Sequence, residues 1–186
     1  MAHPELYILR HGETTWNAEN RMQGELDSPL TEKGQMDAAR QHEILRVRDL
    51  SGFSFWTSPQ GRAFQTAAIS LSGIAPLIRT DDRLREIGVG DWSGRLRSEL
   101  PMPKGPNPFM AQYEMAPNGE GFARLKTRVR AFLDDLSGPA VIVTHGITGS
   151  MIRGLVIGEK AHRNVSPHGG QGCVFWLKDG EQVLVE

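Results

Sequence analysis

Two rhythms of apolar residues alternate along the chain. Leu6 to Leu9 and Val141 to Val143 are short, unbroken apolar runs, which predicts strands buried on both faces of a parallel sheet. Phe53 to Trp56 reads as another strand, stopped by Thr57-Ser58-Pro59, and Pro76 to Thr80 as a shorter one. Cys173 to Leu177 and Gln182 to Val185 flank Asp179-Gly180, a hairpin signal. Between these runs the period lengthens to that of a helix. Thr31 and Glu32 open one reaching about Arg46, with Met36, Ala39 and Leu45 turned inward. Ser58 is placed to cap a second, with Pro59 in its first turn and Arg62, Phe64, Ala67 and Ala68 along it, ending before Gly73. Phe122, Leu125, Val129, Phe132, Leu133 and Leu136 mark a third, and a fourth starts near Thr148, its Gly149 and Gly154 suited to tight packing. Strands alternating with helices predict a single α/β domain over residues 1–186, a three-layer αβα sandwich around a mostly parallel central sheet.

Three stretches keep neither rhythm. Residues 11–30 read as a long loop rich in Gly, Asn and Asp, and Leu84 to Trp92 as an extended segment broken by Gly88 and Gly90. Residues 93–118 hold Pro101, Pro103, Pro106, Pro108 and Pro117 among Phe109, Met110, Tyr113 and Met115. So long an irregular segment reads as a lid or binding loop. Its apolar side chains anchor the loop in one reading and pack on a large leaving group in the other.

Composition narrows the class. With 186 residues, 39% hydrophobic and 23% charged, the chain can form one sizeable core. A net charge of −1 gives no general attraction to nucleic acid or acidic membranes, so any anion site must be a local cluster of cations. Arg124, Lys126, Arg128 and Arg130 read as the solvated face of their helix. Cys173 is the only cysteine; among Val174, Phe175 and Trp176 it reads as a packed thiol, and it excludes an intrachain disulfide. No secretory signal or membrane span is evident, which makes the cytoplasm the expected location. The histidines show no zinc spacing, and His162 and His168, with Gly169 and Gly170, read as loop residues. No metal or stored cofactor is expected.

The candidate chemistry lies at the strand ends. Arg10-His11-Gly12-Glu13-Thr14 follows the first strand, where open α/β sheets place their ligands. An imidazole there can act as a nucleophile, an arginine can hold an anion, and a glycine lets backbone approach closely. On its own the Arg-His pair also fits an ordinary surface loop. Val143-Thr144-His145-Gly146 ends a second strand in the same way, so the two histidines can meet at one sheet edge. Arg62, early in its helix, is aimed at that edge, and its planar donors suit phosphate.

Extended by Thr15-Trp16-Asn17, Gln23-Gly24, Asp27-Ser28-Pro29-Leu30-Thr31 and Gly34-Gln35, the opening motif resembles the histidine phosphatase superfamily, in its phosphoglycerate-mutase-like branch. Ser58-Pro59-Gln60-Gly61-Arg62-Ala63-Phe64-Gln65-Thr66-Ala67 is similar to the family's second arginine motif, and Leu84-Arg85-Glu86-Ile87-Gly88-Val89-Gly90-Asp91-Trp92-Ser93-Gly94 to its acid motif. The resemblance runs from about Leu6 to about Gly158. It implies a phosphohistidine at His11 and a proton donor at Glu86, whose other reading is a surface salt bridge; Asp91 is the weaker candidate. Arg10, Arg62 and His145 complete the catalytic set. Phosphate binding by Arg10, Asn17, Gln23, Gly24, Arg62, His145 and Gly146 is also implied.

The resemblance covers phosphatases and mutases. In the glycolytic mutases a longer insertion separates the glutamate from the second histidine; here the segment is short, with Arg95, Arg97 and Lys104 as its few bases. That favours a phosphomonoester hydrolase, with small-molecule phosphate esters and inorganic phosphate as its partners. A phosphomutase, conditional on a bisphosphate primer, and a non-catalytic phospholigand binder remain as alternatives. One departure stands out: Gly119-Glu120-Gly121 replaces the Gly-Glu-Ser of many relatives, removing a hydroxyl that could cap the next helix.

Overall fold

A computed structural model describes residues 3–105, 108–158 and 170–186. Six strands form one sheet: β1 (Leu6–Arg10), β2 (Ser54–Thr57), β3 (Ile78–Thr80), β4 (Ala140–Thr144), β5 (Val174–Lys178) and β6 (Glu181–Val185), in the order β3-β2-β4-β1-β5-β6. The first four in that order are parallel; β5 runs antiparallel to β1, and β6 to β5. Asp179 and Gly180 turn the β5–β6 hairpin, both with positive φ, as the sequence predicts.

Alternate side chains of each strand serve opposite faces. Leu6, Ile8, Ala140 and Ile142 pack under α5 (Gly121–Asp134) and α6 (Gly146–Ile157), against Leu125, Val129, Phe132 and Ile152. Tyr7, Leu9, Val141 and Val143 pack under α2 (Glu32–Leu45) and α3 (Gly61–Ser70), against Ile44, Leu45 and Ala67. The expected three-layer α/β arrangement is present. Cys173 is buried in the first of these clusters, as its neighbours imply.

Several local expectations are corrected. Thr31 does cap α2, accepting from Gly34 N at 3.0 Å, but Met36 and Ala39 face solvent. The inward stripe is Gly34, Ala38, Gln41 and Leu45. A count of apolar residues misplaces the face because it skips Gln41, which is fully buried and donates to the carbonyls of Arg10 (2.9 Å) and Cys173 (3.1 Å). Helix α3 starts at Gly61 rather than Pro59, and Phe64 is half exposed. Its cap comes from a distant residue: the Asp27 carboxylate accepts from Gly61 N and Arg62 N. Helix α6 begins at Gly146, two residues before the expected Thr148.

The predicted extended segment 84–92 is instead a pair of 3-10 turns, Asp82–Leu84 and Gly90–Trp92, joined by irregular backbone. Segment 93–118 is more ordered than its prolines suggest. It contains a 3-10 turn, Arg97–Glu99, and helix α4 (Pro108–Met115), which opens on a proline, where the missing N–H costs nothing. A four-residue helix, α1 (Thr15–Ala18), lies within the 11–30 loop. The readings of His162, His168 and Gly169, and of Pro106, fall outside the described residues. Among the described residues no helix is long and apolar enough to cross a membrane.

Candidate active site

Strands β1 and β4 are adjacent and parallel, with Arg10 level with Thr144. His11 and His145 therefore leave the sheet at the same edge, and His11 N donates to Thr144 O at 2.9 Å. The two buried rings lie 5.1 Å apart between centroids, tilted by 59°. Gly12 permits this turn because its Cα packs directly on α2. A Cβ at Gly12 would sit 2.0 Å from Gly34 O, and one at Gly34 would sit 2.0 Å from Glu13 O. These two glycines, far apart in the motif, are one backbone-to-backbone contact.

The tautomer of His11 follows from its partners. Nδ1 lies 2.8 Å from Gly12 O, which can only accept, so the proton resides on Nδ1 and Nε2 carries the lone pair. Burial, reinforced by the charges of Arg62 and Arg10, holds this imidazole well below the ordinary histidine range; the Gly12 hydrogen bond opposes the shift. It is neutral at pH 7.

Arg62, the second residue of α3, has a side chain only 1% exposed. Its Nε points at His11 Nε2 from 3.3 Å. Nη1 donates to Leu26 O and Asp27 Oδ1, each at 2.7 Å, and Nη2 to Gly24 O at 3.0 Å. The guanidinium is thus held rigidly beside the imidazole. Arg10 approaches from the other side, over Gly146, where a Cβ would come within 3.4 Å of its Nε. Burial lowers its pKa, with Tyr113 and Glu86 opposing.

Glu86 closes the site at the N-terminus of α6. Its Oε1 accepts from Ile87 N and Thr148 N, both at 3.0 Å; Thr148 Oγ1 lies 3.1 Å from it and closer, at 2.6 Å, to the Arg85 carbonyl, to which its one proton is directed. Among the described residues its Oε2 accepts only from Ile147 N, at 3.1 Å, which leaves a lone pair for a proton. Gln60 holds the acid segment from one side, through Glu86 N at 2.7 Å. From the other, Arg128 donates to the carbonyls of Arg83, Arg85 and Glu86 and pairs with Glu120, whose carboxylate also accepts from Gly88 N. Arg128 is therefore a clamp on the acid segment, not part of a solvated face. Its neighbour Arg124 is exposed, as expected, and bonds only nearby carbonyls. The hydroxyl missing from Gly119-Glu120-Gly121 is replaced by the Glu114 carboxylate, which accepts from Phe122 N at 2.7 Å.

These groups surround a polar cavity of about 280 Å³, lined by Arg10, His11, Asn17, Arg62 and Glu86 together with Arg21, Arg97, Tyr113 and Gln171. Asn17 Oδ1 is taken by Thr14 N and Gln171 Nε2, each at 3.2 Å, so its amide N–H groups are left for an anion. Gln23 and Gly24 also line the cavity but act as supports. The Gln23 amide is tied to Thr14 and Ser28, and the Gly24 carbonyl accepts from Arg62 and Gln60. His145 sits a layer behind, beside a small cleft that Arg10 and Gly146 share.

Ser58, expected to cap α3, instead faces His145 Nε2 at 2.8 Å. Its oxygen also accepts from Gln60 N at 3.3 Å, and a hydroxyl with two lone pairs can either donate to Nε2 or accept from it. The other ring nitrogen, Nδ1, is buried with no partner among the described residues. Burial, and then the positive charges of Arg62 and Arg10, hold this ring neutral as well. A buried polar nitrogen without a partner costs about 1–3 kcal/mol.

Sequence reasoning brought Arg10, His11, Arg62, Glu86, His145 and Gly146 to one place. It missed the residues that orient them: Ser58, Thr148, Asp27 and the Arg128–Glu120 pair, together with Thr66, whose Oγ1 accepts from Gly12 N. Asp27 and Thr66 lie inside the recognised motifs. Thr148 and Arg128 carry no local signal, because their partners are distant in the chain.

A sheet edge bearing two neutral histidines, flanking arginines and a carboxyl at a helix N-terminus defines an α/β protein built to hold an oxyanion. Comparison with known sequences makes the class specific. The chain belongs to the histidine phosphatase superfamily (branch 1), whose sequence profile matches residues 6–183. It is 34% identical over 167 residues to the probable phosphoglycerate mutase GpmB of Enterobacter sp. (strain 638), covering 85% of this chain and 77% of that protein. Among solved structures, Bacillus stearothermophilus YhfR superimposes with a TM-score of 0.74 at 34% identity, covering 98% and 96% of the two chains. The alpha-ribazole phosphatase of Shigella flexneri gives 0.76 at 29%, covering 97% and 94%.

Proposed function

We propose that the protein is a metal-independent phosphomonoester hydrolase working through a phosphohistidine at His11. The observation that carries this reading is the arrangement of His11. Its proton is committed to Gly12 O, and its Nε2, which accepts from Arg62 Nε at 3.3 Å, lines one cavity with Arg10, Arg62 and Glu86; a phosphoryl oxygen that draws the Arg62 Nε–H to itself frees the Nε2 lone pair for attack. In the first step Nε2 attacks phosphorus as the P–O ester bond breaks. Glu86 Oε2 gives its proton to the departing alkoxide. In the second step Glu86 takes a proton from water, which attacks phosphorus, and the P–N bond returns its electrons to Nε2. Arg10, Arg62, Asn17 and His145 offset charge on the phosphoryl oxygens, so the cation requirement falls on side chains. Small phosphate esters and inorganic phosphate are its ligands, and the cytoplasm its compartment.

The test is phosphate release from a phosphomonoester panel in chelator, with trapping of acid-labile phosphoprotein. His11→Ala is expected to lose turnover by at least about 10⁴-fold, together with the trapped label. Full activity in that variant overturns the mechanism. A mutase is the second reading, favoured by Arg21, which adds positive charge to the cavity from outside the 87–144 segment, beside that segment's own Arg97. Transfer of label from one hydroxyl of a phosphoglycerate to another, rather than to water, identifies it. A binder is recognised by tight phosphate binding without release.

A further inference from the structure

Glu86 separates two cavities of different character. One is the polar phosphate cavity. The other, about 470 Å³, shares Arg10, Glu86, Arg97 and Tyr113 with it and then continues between α4, α6 and β5. Its far walls are Phe109 and Met110 from α4, Ile147 and Ser150 from α6, and Phe175 from β5.

The placement of Glu86 decides what belongs there. A proton donor must reach the ester oxygen, which lies opposite the attacking nitrogen in an in-line displacement. The alcohol therefore leaves on the side of Glu86 away from His11. A third hollow also touches Glu86, but it lies behind the acid segment, against Arg128 and Glu120, and none of Arg10, His11 and Arg62 lines it. The cavity under α4 is the one continuous with the phosphate cradle.

Its chemistry is that of a ring-binding pocket. Of the three arginines on its wall, Arg10 belongs to the phosphate cradle, and Arg97 and Arg153 are engaged on protein groups. Arg97 lies over the Tyr113 ring at 5.0 Å and bonds the Tyr113 hydroxyl and Gln112 Oε1. Arg153 stacks on Phe175 at 3.9 Å and donates to Gln182 at 3.0 Å. Phe109, by contrast, is 61% exposed on a helix otherwise anchored by the buried Gln112 and the partly buried Tyr113. An apolar side chain held out at the cavity mouth gains contact only when the pocket is filled.

Resting on the hydrolase reading, we infer that this cavity receives the alcohol part of the substrate. It selects a flat apolar group, an aromatic ring one or two carbons from the ester oxygen, over small polar alcohols. Ethyl phosphate and 2-phenylethyl phosphate test this, because their alcohols are of similar acidity and differ in the ring. Burying a ring is worth about tenfold or more, so wild-type kcat/KM is expected to favour 2-phenylethyl phosphate by that factor. Phe109→Ala is expected to cut the preference about threefold, and Ser150→Leu, which fills the pocket, to abolish it. Calorimetric Kd values of both esters on His11→Ala should show the same tenfold ratio. Equal kcat/KM and equal Kd values overturn the inference, as does a Ser150→Leu variant that loses both substrates alike. Failure to hydrolyse either ester sinks the hydrolase reading instead, and the Kd ratio then decides the pocket separately.

Discussion

The phosphate cradle and the α4 roof meet at Glu86 but are built on opposite principles. In the cradle, side chains emerge from strand ends and helix starts and are pinned by backbone: Arg62 by the carbonyls of Gly24 and Leu26, His11 by that of Gly12, Glu86 by the first amides of α6. Little there can move without breaking secondary structure. The roof hangs from a proline-rich connection through the Arg97–Gln112–Tyr113 cluster, and its outer apolar side chain is exposed. On the proposed hydrolase reading, the contrast separates reaction from selection. Chemistry is set where backbone is rigid, and choice of leaving group where side chains are few and replaceable.

The sharpest test of that division is Glu86→Gln, at the border. Turnover of alkyl phosphates is expected to fall by about 10²–10⁴-fold, and of aryl phosphates much less, because their leaving groups need no proton. Equal losses would remove Glu86 from the acid role. Arg62→Lys strikes inside the cradle and should cost about 10²–10³-fold on every ester alike, since a lysine cannot reproduce the planar donors. A loss confined to bulky esters would blur the boundary. Thr148→Val is expected to lower alkyl phosphate turnover about five- to tenfold, with Thr148→Ser restoring it, the cost of about one hydrogen bond that holds the acid segment at the Arg85 carbonyl beside Glu86. Unchanged alkyl-to-aryl rate ratios would make Thr148 merely structural.

The smallest effect expected is on stability. His11 and His145 have folded-state pKa values well below the ordinary 6.5, so the unfolded chain binds their protons first as pH falls. Stability from these groups is complete above about pH 6.5 and declines below it. The melting temperature of the ligand-free protein should therefore fall between pH 7.5 and 5, less steeply in a His11→Ala, His145→Ala double variant. Identical slopes would show that other groups dominate.

Much of this architecture is written in local pattern. The buried runs at 6–9 and 141–143, the Asp179-Gly180 turn and the periodic 122–136 stretch each carry their element in neighbouring residues, because strand and helix periodicities need no distant partner. The candidate reactive residues were equally legible: His11, Arg62, Glu86 and His145 stand in long motifs, and parallel strands deliver the two histidines to one edge. Family membership follows from the same motifs. What local pattern leaves open is everything that depends on which segments meet. Met36 and Ala39 read as inward only until Gln41 is seen bonding two carbonyls across the sheet edge. Ser58 reads as a cap until His145 arrives beside it, and Arg128 as a surface charge until the acid segment crosses its helix. Asp27, not the residue preceding the helix, caps α3. Folding chose these partners because a polar group shut off from water must find another, and the one within reach is set by chain topology rather than by adjacency in sequence.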